Sequence, residues 1–570
     1  MRGRISWTVW TLVVMAVVLA APCAVSATPR TAVWPDGSIR VALDAQRISG
    51  PTRYDTAAAI ARSAYPGWTG VSRVIIASGL DRSLADPLAA GGLCWAYNAP
   101  LLLVDGTSVP AATQAALREI VSANTTVTVT IVGGGSAVSS ACMSSLGRIV
   151  GPGRVERPFA GADRFATAAL IARRVRAVAS VDTSLTQADV ALIANGVNGY
   201  YDALALTAVS AATGAPVVFV TRDSVPAVTA AVLRDLAPAE RIVAGGDAVV
   251  SARTYATLGG TDRWYGQNRY ATAVAIAEKS IGRGWLDSEA FGVAANTPDA
   301  LVGATLCGKA RMPLLYTTRS QVSPEVARFA ERYEDGMTSC LAFGGPVVVA
   351  DDVLLQLRGT PARPVMVNPQ QDGGATAYMR VSASVGINTG ECLLYIGDTL
   401  VASQTVSAYQ TVDFGRIAMP ATGGTLRVVA ANPEGRSVAN EITIRRLTYP
   451  TSTCIVIDKS DFRLYWIRGD ELIRSYPIAI GRGSMETPVA MWKILAKYYT
   501  TPTSVYGPRK MRLFRKYGSS YVYTAYAIHG TNEPWVIGTK ASHGCIRMYN
   551  NDVLELFPQV PLGTVVQTRL

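Results

Sequence analysis

The chain has 570 residues, of which 49% are hydrophobic and only 16% charged, a balance that builds packed cores and excludes a disordered polymer. At roughly 150 residues per domain, that length is enough for about four domains. A net charge of +12 suits an anionic partner. There is no long Lys/Arg block with interleaved aromatics and no nucleic-acid motif, so nucleic acid is not the partner expected.

The first residues read as a signal peptide over 1–27. Arg2 and Arg4 form a basic start, Ile5 to Ala21 an apolar core, and Val25-Ser26-Ala27 a small-residue cleavage site, with a retained anchor as the alternative. No later stretch has the length and apolarity of a membrane span. Cleavage after Ala27 removes Cys23, one of eight cysteines, and the odd remainder leaves at least one thiol free. An exported setting permits disulfides. Proximity in sequence suggests Cys94–Cys142, Cys307–Cys340 and Cys392–Cys454; buried, reduced thiols are the alternative.

Residues 47–149, 157–259 and 261–359 repeat one unit. Gly50-Pro51-Thr52-Arg53-Tyr54-Asp55-Thr56-Ala57 is echoed from Gly161 around Arg164 and from Gly266 around Arg269. Each copy then shows an Asp before small apolar residues (Asp86, Asp202, Asp299) and a glycine pair after an apolar run (Gly133-Gly134, Gly245-Gly246, Gly344-Gly345). Thr56 to Ala64 and Leu84 to Tyr97 read as helical, and Arg73 to Ala77 and Leu101 to Val104 as strands. Continuous apolar strands between helices predict a parallel sheet covered on both faces. The glycine pairs lack the Lys-Ser/Thr of a phosphate loop and read as strand-to-helix turns.

These copies resemble the cell-wall-binding repeats of clostridial and related surface proteins. The resemblance implies noncovalent attachment to an anionic secondary cell-wall polymer, with Arg53, Arg164 and Arg269 as candidate contacts. The competing reading pairs each Arg with Asp86, Asp202 or Asp299 to brace its own repeat.

Pro361, Pro364 and Pro369 mark a boundary. From 361 to 450 short strand-like runs alternate with Gly, Asn and Asp turns, which predicts a small β-sandwich of immunoglobulin type acting as a spacer.

The last segment, 452–570, opens with strand-like Cys454–Asp458 and Leu464–Ile467 and carries both histidines of the chain, His529 and His543, close to Cys545. Histidine moves protons near neutrality and a thiolate needs a base to form, so the cluster reads as a cysteine acyl-transfer site. His529, at a strand end on a separate segment, is the better base. His543, two residues from Cys545, is a secondary polar contact. The amides of Gly544 and Cys545 are candidate oxyanion donors, and Arg547 holds a carboxylate or positions the loop. A zinc site from His529, His543 and Cys545 lacks an evident fourth ligand. The basic stretch from Arg509 to Lys516, among Tyr506, Phe514 and Tyr517, reads as a solvated loop or a lid over substrate.

His529-Gly530-Thr531-Asn532 followed by Ser542-His543-Gly544-Cys545-Ile546-Arg547 resembles the signature of L,D-transpeptidases of the YkuD type, which cross-link peptidoglycan. The resemblance implies a mostly β catalytic domain in which Cys545 attacks stem peptides, His529 activates it, and the Gly530 carbonyl orients the imidazole. Ser542, Arg547, Tyr523 and Trp535 are candidate substrate contacts. No metal or cofactor is expected, and oligomeric state is not legible.

Overall fold

The computed structural model describes residues 41–179, 189–197 and 200–570; the expected signal peptide, 1–27, lies outside them. The chain divides into two compact units, Met1–Ala362 and Arg363–Leu570.

The first unit begins with β1 (Asp44–Ile48) and α1 (Arg53–Ala64). The first copy continues with β2 (Arg73–Ser78), α2 (Gly91–Tyr97), β3 (Leu101–Val104) and β4 (Thr128–Val132), and β5 (Val155–Phe159) leads out of it. The second comprises α3 (Arg164–Ala179), β6 (Val190–Asn195), α4 (Tyr200–Thr213), β7 (Val217–Val220) and β8 (Glu240–Ala244), with β9 (Asp262–Trp264) leading out. The third comprises α5 (Arg269–Gly282), β10 (Ala290–Ala294), α6 (Thr297–Lys309), β11 (Leu314–Tyr316) and β12 (Ser339–Phe343).

Each copy forms a four-stranded parallel sheet, in the orders β3-β2-β4-β5, β7-β6-β8-β9 and β11-β10-β12-β1. Central strands such as Val190–Asn195 are buried along their whole length, which is why they read as unbroken apolar runs. The fourth strand of the first two sheets is the segment that leads to the next copy. In the third sheet that place is taken by β1, with Asp44–Ile48 in register on Ser339–Phe343. The start of the described chain therefore closes the set of three copies.

Helices α2, α4 and α6 meet between the sheets, and small residues set how closely they approach. A Cβ on Gly91 would stand 2.4 Å from the Thr207 carbonyl oxygen, and one on Gly308 2.5 Å from that of Ala208. The run Leu84 to Tyr97 is shorter as a helix than expected. Two 3-10 turns, Asp81–Ser83 and Pro87–Ala89, precede α2, because Pro87 offers no N–H to a continuing helix.

The three motif arginines do not pair with the aspartate of their own copy. Arg53 donates to the Gly79 carbonyl and to Asp81, each at 2.6 Å. Arg164 donates to the Gly196 carbonyl and the Tyr200 hydroxyl, each at 2.7 Å, and Arg269 stacks on Tyr201 and Tyr270. Asp86 instead takes a hydrogen bond from Thr167 of the following copy, and Asp299 one from Asn296 of its own copy, with the Arg53 charge a lesser influence. Gly133, Gly245 and Gly344 all have φ near +100°, and a Cβ on each would fall within 3.0 Å of the Oδ2 of Asp86, Asp202 or Asp299. Those glycines let a buried carboxyl seat against the strand end. Burial raises all three carboxyls, Asp202 to about 7.

The expected disulfides are absent. Cys94, Cys142, Cys307, Cys340, Cys392 and Cys454 are all free and buried, each occupying an apolar core position as a small hydrophobe. Cys94 lies in α2 and Cys454 in a strand of the second unit, with their partners-by-spacing on other elements.

The second unit contains β13 (Val365–Asn368), β14 (Gly373–Ala375), β15 (Tyr378–Ser384), β16 (Glu391–Ile396), β17 (Thr399–Thr405), β18 (Thr411–Ala418), β19 (Gly424–Asn432), β20 (Gly435–Val438) and β21 (Ile442–Arg446). Strands β13, β15 and β18 form one layer and β14, β21, β19, β16, β17 and β20 the other. Met379, Val381, Phe414, Leu394, Leu426 and Ile442 fill the space between them. The remainder comprises β22 (Cys454–Asp458), β23 (Arg463–Arg468), β24 (Glu471–Gly481), β25 (Ala490–Tyr499), β26 (Arg509–Tyr517), β27 (Ser520–His529), β28 (Lys540–Ser542), β29 (Ile546–Met548), α7 (Asn550–Gln559) and β30 (Val565–Arg569).

The pairings β24-β23-β22-β30-β25-β26-β27-β29 return to β24, a closed circuit around Trp466, Trp492, Ile478, Met511 and Ile528. Strand β15 pairs with β24 at Tyr378–Glu471. Arg445 of β21 and Arg569 of β30 both bind the fully buried Asp458, at 2.6 and 2.8 Å. The two-layer module is thus built onto the β circuit.

Gly308→Val should drive α4 and α6 apart and lower the stability of the first unit by about 1–3 kcal/mol, the usual cost of overpacking. Guanidinium unfolding of the full chain measures it; an unchanged midpoint for the first transition would show that the helices do not need this contact.

Candidate active site

Strand β27 ends in buried Ala527-Ile528-His529, and β29 runs parallel beside it with Ile528 opposite Ile546 and His529 opposite Arg547. Residues two apart on a strand share a face. Cys545, one residue ahead of β29, and His529 are therefore diagonal neighbours on one face, a relation that spans roughly 7–8 Å of backbone and suits long side chains.

The imidazole is fixed on one side. His529 is 3% exposed, and its Nδ1–H donates to the Gly530 carbonyl at 2.5 Å, which leaves the Nε2 lone pair as the basic position. The Tyr506 ring meets the imidazole edge-on at 5.1 Å, and the Lys510 ammonium sits over Tyr506 at 3.2 Å. Asn550 at the start of α7 accepts the Thr531 amide at 2.9 Å. A Cβ on Gly530 would lie 2.4 Å from that same Asn550 oxygen, so the glycine is what lets α7 pin the loop.

Cys545 follows a tight turn. Ser542 is buried; its hydroxyl donates to the Cys545 carbonyl at 2.5 Å and accepts the Gly544 amide at 3.1 Å. The Gly544 carbonyl accepts from Thr487 at 2.9 Å, and Thr487 in turn accepts the Gly481 amide at 2.9 Å. Gly544 has φ +100°, and a Cβ there would stand 2.4 Å from the Tyr526 ring. Only glycine meets both conditions.

Burial disfavours the charged form of both groups. Burial, with Arg547, Lys510 and Arg512 adding to it, lowers His529 to about 4 against the Gly530 bond. Burial pushes the Cys545 thiol above its ordinary value, opposed by the Ala527 amide and by Lys510, Arg512 and Arg547. The thiol is turned to the Ala525 carbonyl at 3.8 Å, which also accepts from Arg512 at 2.9 Å. Both shifts act against a thiolate–imidazolium pair.

Other expected residues are used differently. The Gly544 amide is spent on Ser542, which leaves the Cys545 amide as the candidate oxyanion donor. Arg547 pairs with Glu533 at 2.5 Å and ties down the loop after His529 instead of standing open for substrate. Ser542 shapes the turn from inside. His543 is exposed. Tyr523 is 62% exposed against Phe514, and Trp535, in the turn Pro534–Val536, is 75% exposed. Thr487 and Asn550 were not singled out from sequence: neither belongs to the His–Cys cluster, and Asn550 reads only as a helix-start residue. Among the described residues no three His, Cys, Asp or Glu side chains gather as a metal site.

A cysteine and an oriented histidine share one face of a closed β circuit, in one chain with three α/β copies. Comparison with known proteins makes this particular. Residues 47–143, 159–255 and 263–354, about half the chain, match Cell wall binding domain 2 (CWB2), and 452–567 match the YkuD family, the L,D-transpeptidase catalytic domain. The chain belongs to the CWB2 family and carries a YkuD-type L,D-transpeptidase domain at its C-terminal end.

It is 29% identical over 337 residues to N-acetylmuramoyl-L-alanine amidase LytC of Bacillus subtilis, covering 58% of this chain and 62% of that protein. It is 37% identical over 119 residues to putative L,D-transpeptidase YkuD of Bacillus licheniformis, covering 21% of this chain and 66% of the relative. Among solved structures, Cwp6 from Clostridium difficile aligns at TM-score 0.48 and 24% identity over 56% of this chain and 48% of that one. The chain thus spans less than two thirds of the length of each of these proteins.

Alkylation of Cys545 by iodoacetamide should rise about tenfold per pH unit from pH 6 upward and still be climbing at pH 9, because the raised thiol ionises late. A rate already level at neutral pH would mean a preformed thiolate. Gly544→Ala should lower that rate at least about tenfold at pH 8, since a left-handed turn and the Tyr526 contact both forbid the methyl; stopped-flow or mass-resolved labelling reads it.

Proposed function

We propose that this protein is a secreted peptidoglycan L,D-transpeptidase held at the wall by its repeats. The supporting observation is His529: its Nδ1 is tied to the Gly530 carbonyl, which leaves Nε2 free as the base, and strand register puts His529 and Cys545 on one face. The thiol swings from Ala525 toward Nε2 and gives up its proton as sulfur attacks the carbonyl that joins the third residue of a stem peptide to D-alanine. The Cys545 amide receives the developing oxyanion. Collapse breaks the peptide bond, His529 returns the proton to the D-alanine amine, and a thioester remains on Cys545. The side-chain amine of a second stem loses its proton to His529, attacks the thioester and releases the thiol, leaving a 3-3 cross-link. Lys510, Arg512 and Arg547 hold positive potential around the sulfur and favour carboxylate-bearing stems. Tyr523 and Trp535, both exposed beside this strand, are the proposed walls for the peptide.

The three CWB2 copies associate the chain with the cell wall, and the proposal extends this to an anionic secondary polymer, with Arg53, Arg164 and Arg269 contributing charge at the strand ends. Incubation with a disaccharide tetrapeptide, read by mass spectrometry, should give dimer with loss of D-alanine. Tripeptide alone would make water the acceptor. Cys545→Ala should lower turnover by at least about a thousandfold while wall association stays intact; turnover by that variant would remove Cys545 from the chemistry.

A further inference from the structure

A cleft of about 760 Å³ opens in the second unit where the two-layer module meets the β circuit, within the roughly 300–1,000 Å³ of small-molecule sites. Gln370 and Gln371 line one side, the β24 segment Leu472–Pro477 another, and Tyr549 and Asp552 at the start of α7 close the end. Two of its three arginines are paired within the protein, and the third, Arg463, lies near a carboxyl. Arg380 pairs with Glu471 at 2.8 Å, Arg474 with Glu555 at 3.5 Å, and Arg463 acts on Asp552. A polyanion gains little from cations already committed in this way.

The unmatched groups are hydrogen-bond donors. Tyr476 is 1% exposed, lines the cleft and has a hydroxyl without a partner, and Arg463 Nε is also unpartnered. Buried polar atoms of this kind cost free energy until something supplies the missing bond. Tyr549, 40% exposed, offers a flat ring at the mouth, and the two glutamines offer donors and acceptors together. A ring face, side-chain amides and an orphan hydroxyl match a pyranose that carries hydroxyls and an acetamido group.

We infer that this cleft binds a neutral N-acetylated hexosamine glycan. The inference deepens the proposed function, because a stem peptide hangs from such a glycan. Position supports it: Tyr549 directly follows Met548 of β29, and Pro477 directly precedes the Ile478–Met548 and Ala479–Arg547 pairs that carry the active-site strand. A saccharide seated here lies beside the strand that presents Cys545.

Calorimetry of the full chain with tetra-N-acetylchitotetraose tests it. Tyr549→Ala and, separately, Gln370→Ala with Gln371→Ala should each weaken binding at least tenfold, while the iodoacetamide rate at Cys545 stays unchanged. Tyr549→Ala should also raise KM for the disaccharide tetrapeptide but not for the free tetrapeptide. Equal affinity in wild type and both variants, or displacement of the saccharide by inorganic polyphosphate, would overturn the assignment. Tyr549-dependent binding in a protein that turns over no stem peptide would support the cleft and defeat only the catalytic reading.

Discussion

The short hydrogen bond from His529 to the Gly530 carbonyl is the constraint on which the second unit's chemistry depends. A carbonyl oxygen is a weaker partner than a carboxylate, but it fixes the tautomer without adding negative charge beside a buried ring. Everything around it keeps that carbonyl in place. Asn550 pins the next amide, the glycine leaves room for Asn550, and the Arg547–Glu533 pair holds the loop beyond. Loss of any one would move the oxygen, and the ring with it.

The nucleophile's turn follows the same logic from the other side. Ser542, Thr487 and Gly481 form a relay of hydrogen bonds that holds the Gly544 carbonyl and amide. Burial holds the thiol above its ordinary value and the imidazole well below its own, while the sulfur rests against the Ala525 carbonyl. Three cations stand close enough to lower the thiol, and burial outweighs them. A carboxylate-bearing substrate would spend part of that positive field on itself.

Much of this was legible in the residues. Two histidines and a cysteine close together in a glycine-rich run pointed to the candidate site, and the recurring Arg-Tyr/Phe and Asp motifs located three α/β copies with parallel sheets. The terminal β domain was also read correctly. Spacing alone failed where partners come from distant segments. Asp86 is met by the following copy and Asp299 by Asn296, not by the arginine of their own copy, and the paired-looking cysteines are free core residues. Gly544 looked like an oxyanion donor because its amide is near the sulfur, yet Ser542, two residues earlier, takes that amide first. Thr487 and Asn550 reach the site through folds of the backbone that no local pattern announces.

The seat of β1 on β12 has a further meaning. Most tandem arrays are open-ended and tolerate gain or loss of a module, since each stacks only on its neighbours. Here the outermost strand of the last module comes from ahead of the first, so the assembly is a loop and not a stack. Removing the segment ahead of the first module would therefore bare the Ser339–Phe343 edge of the third sheet, a strand margin open to pairing with other chains.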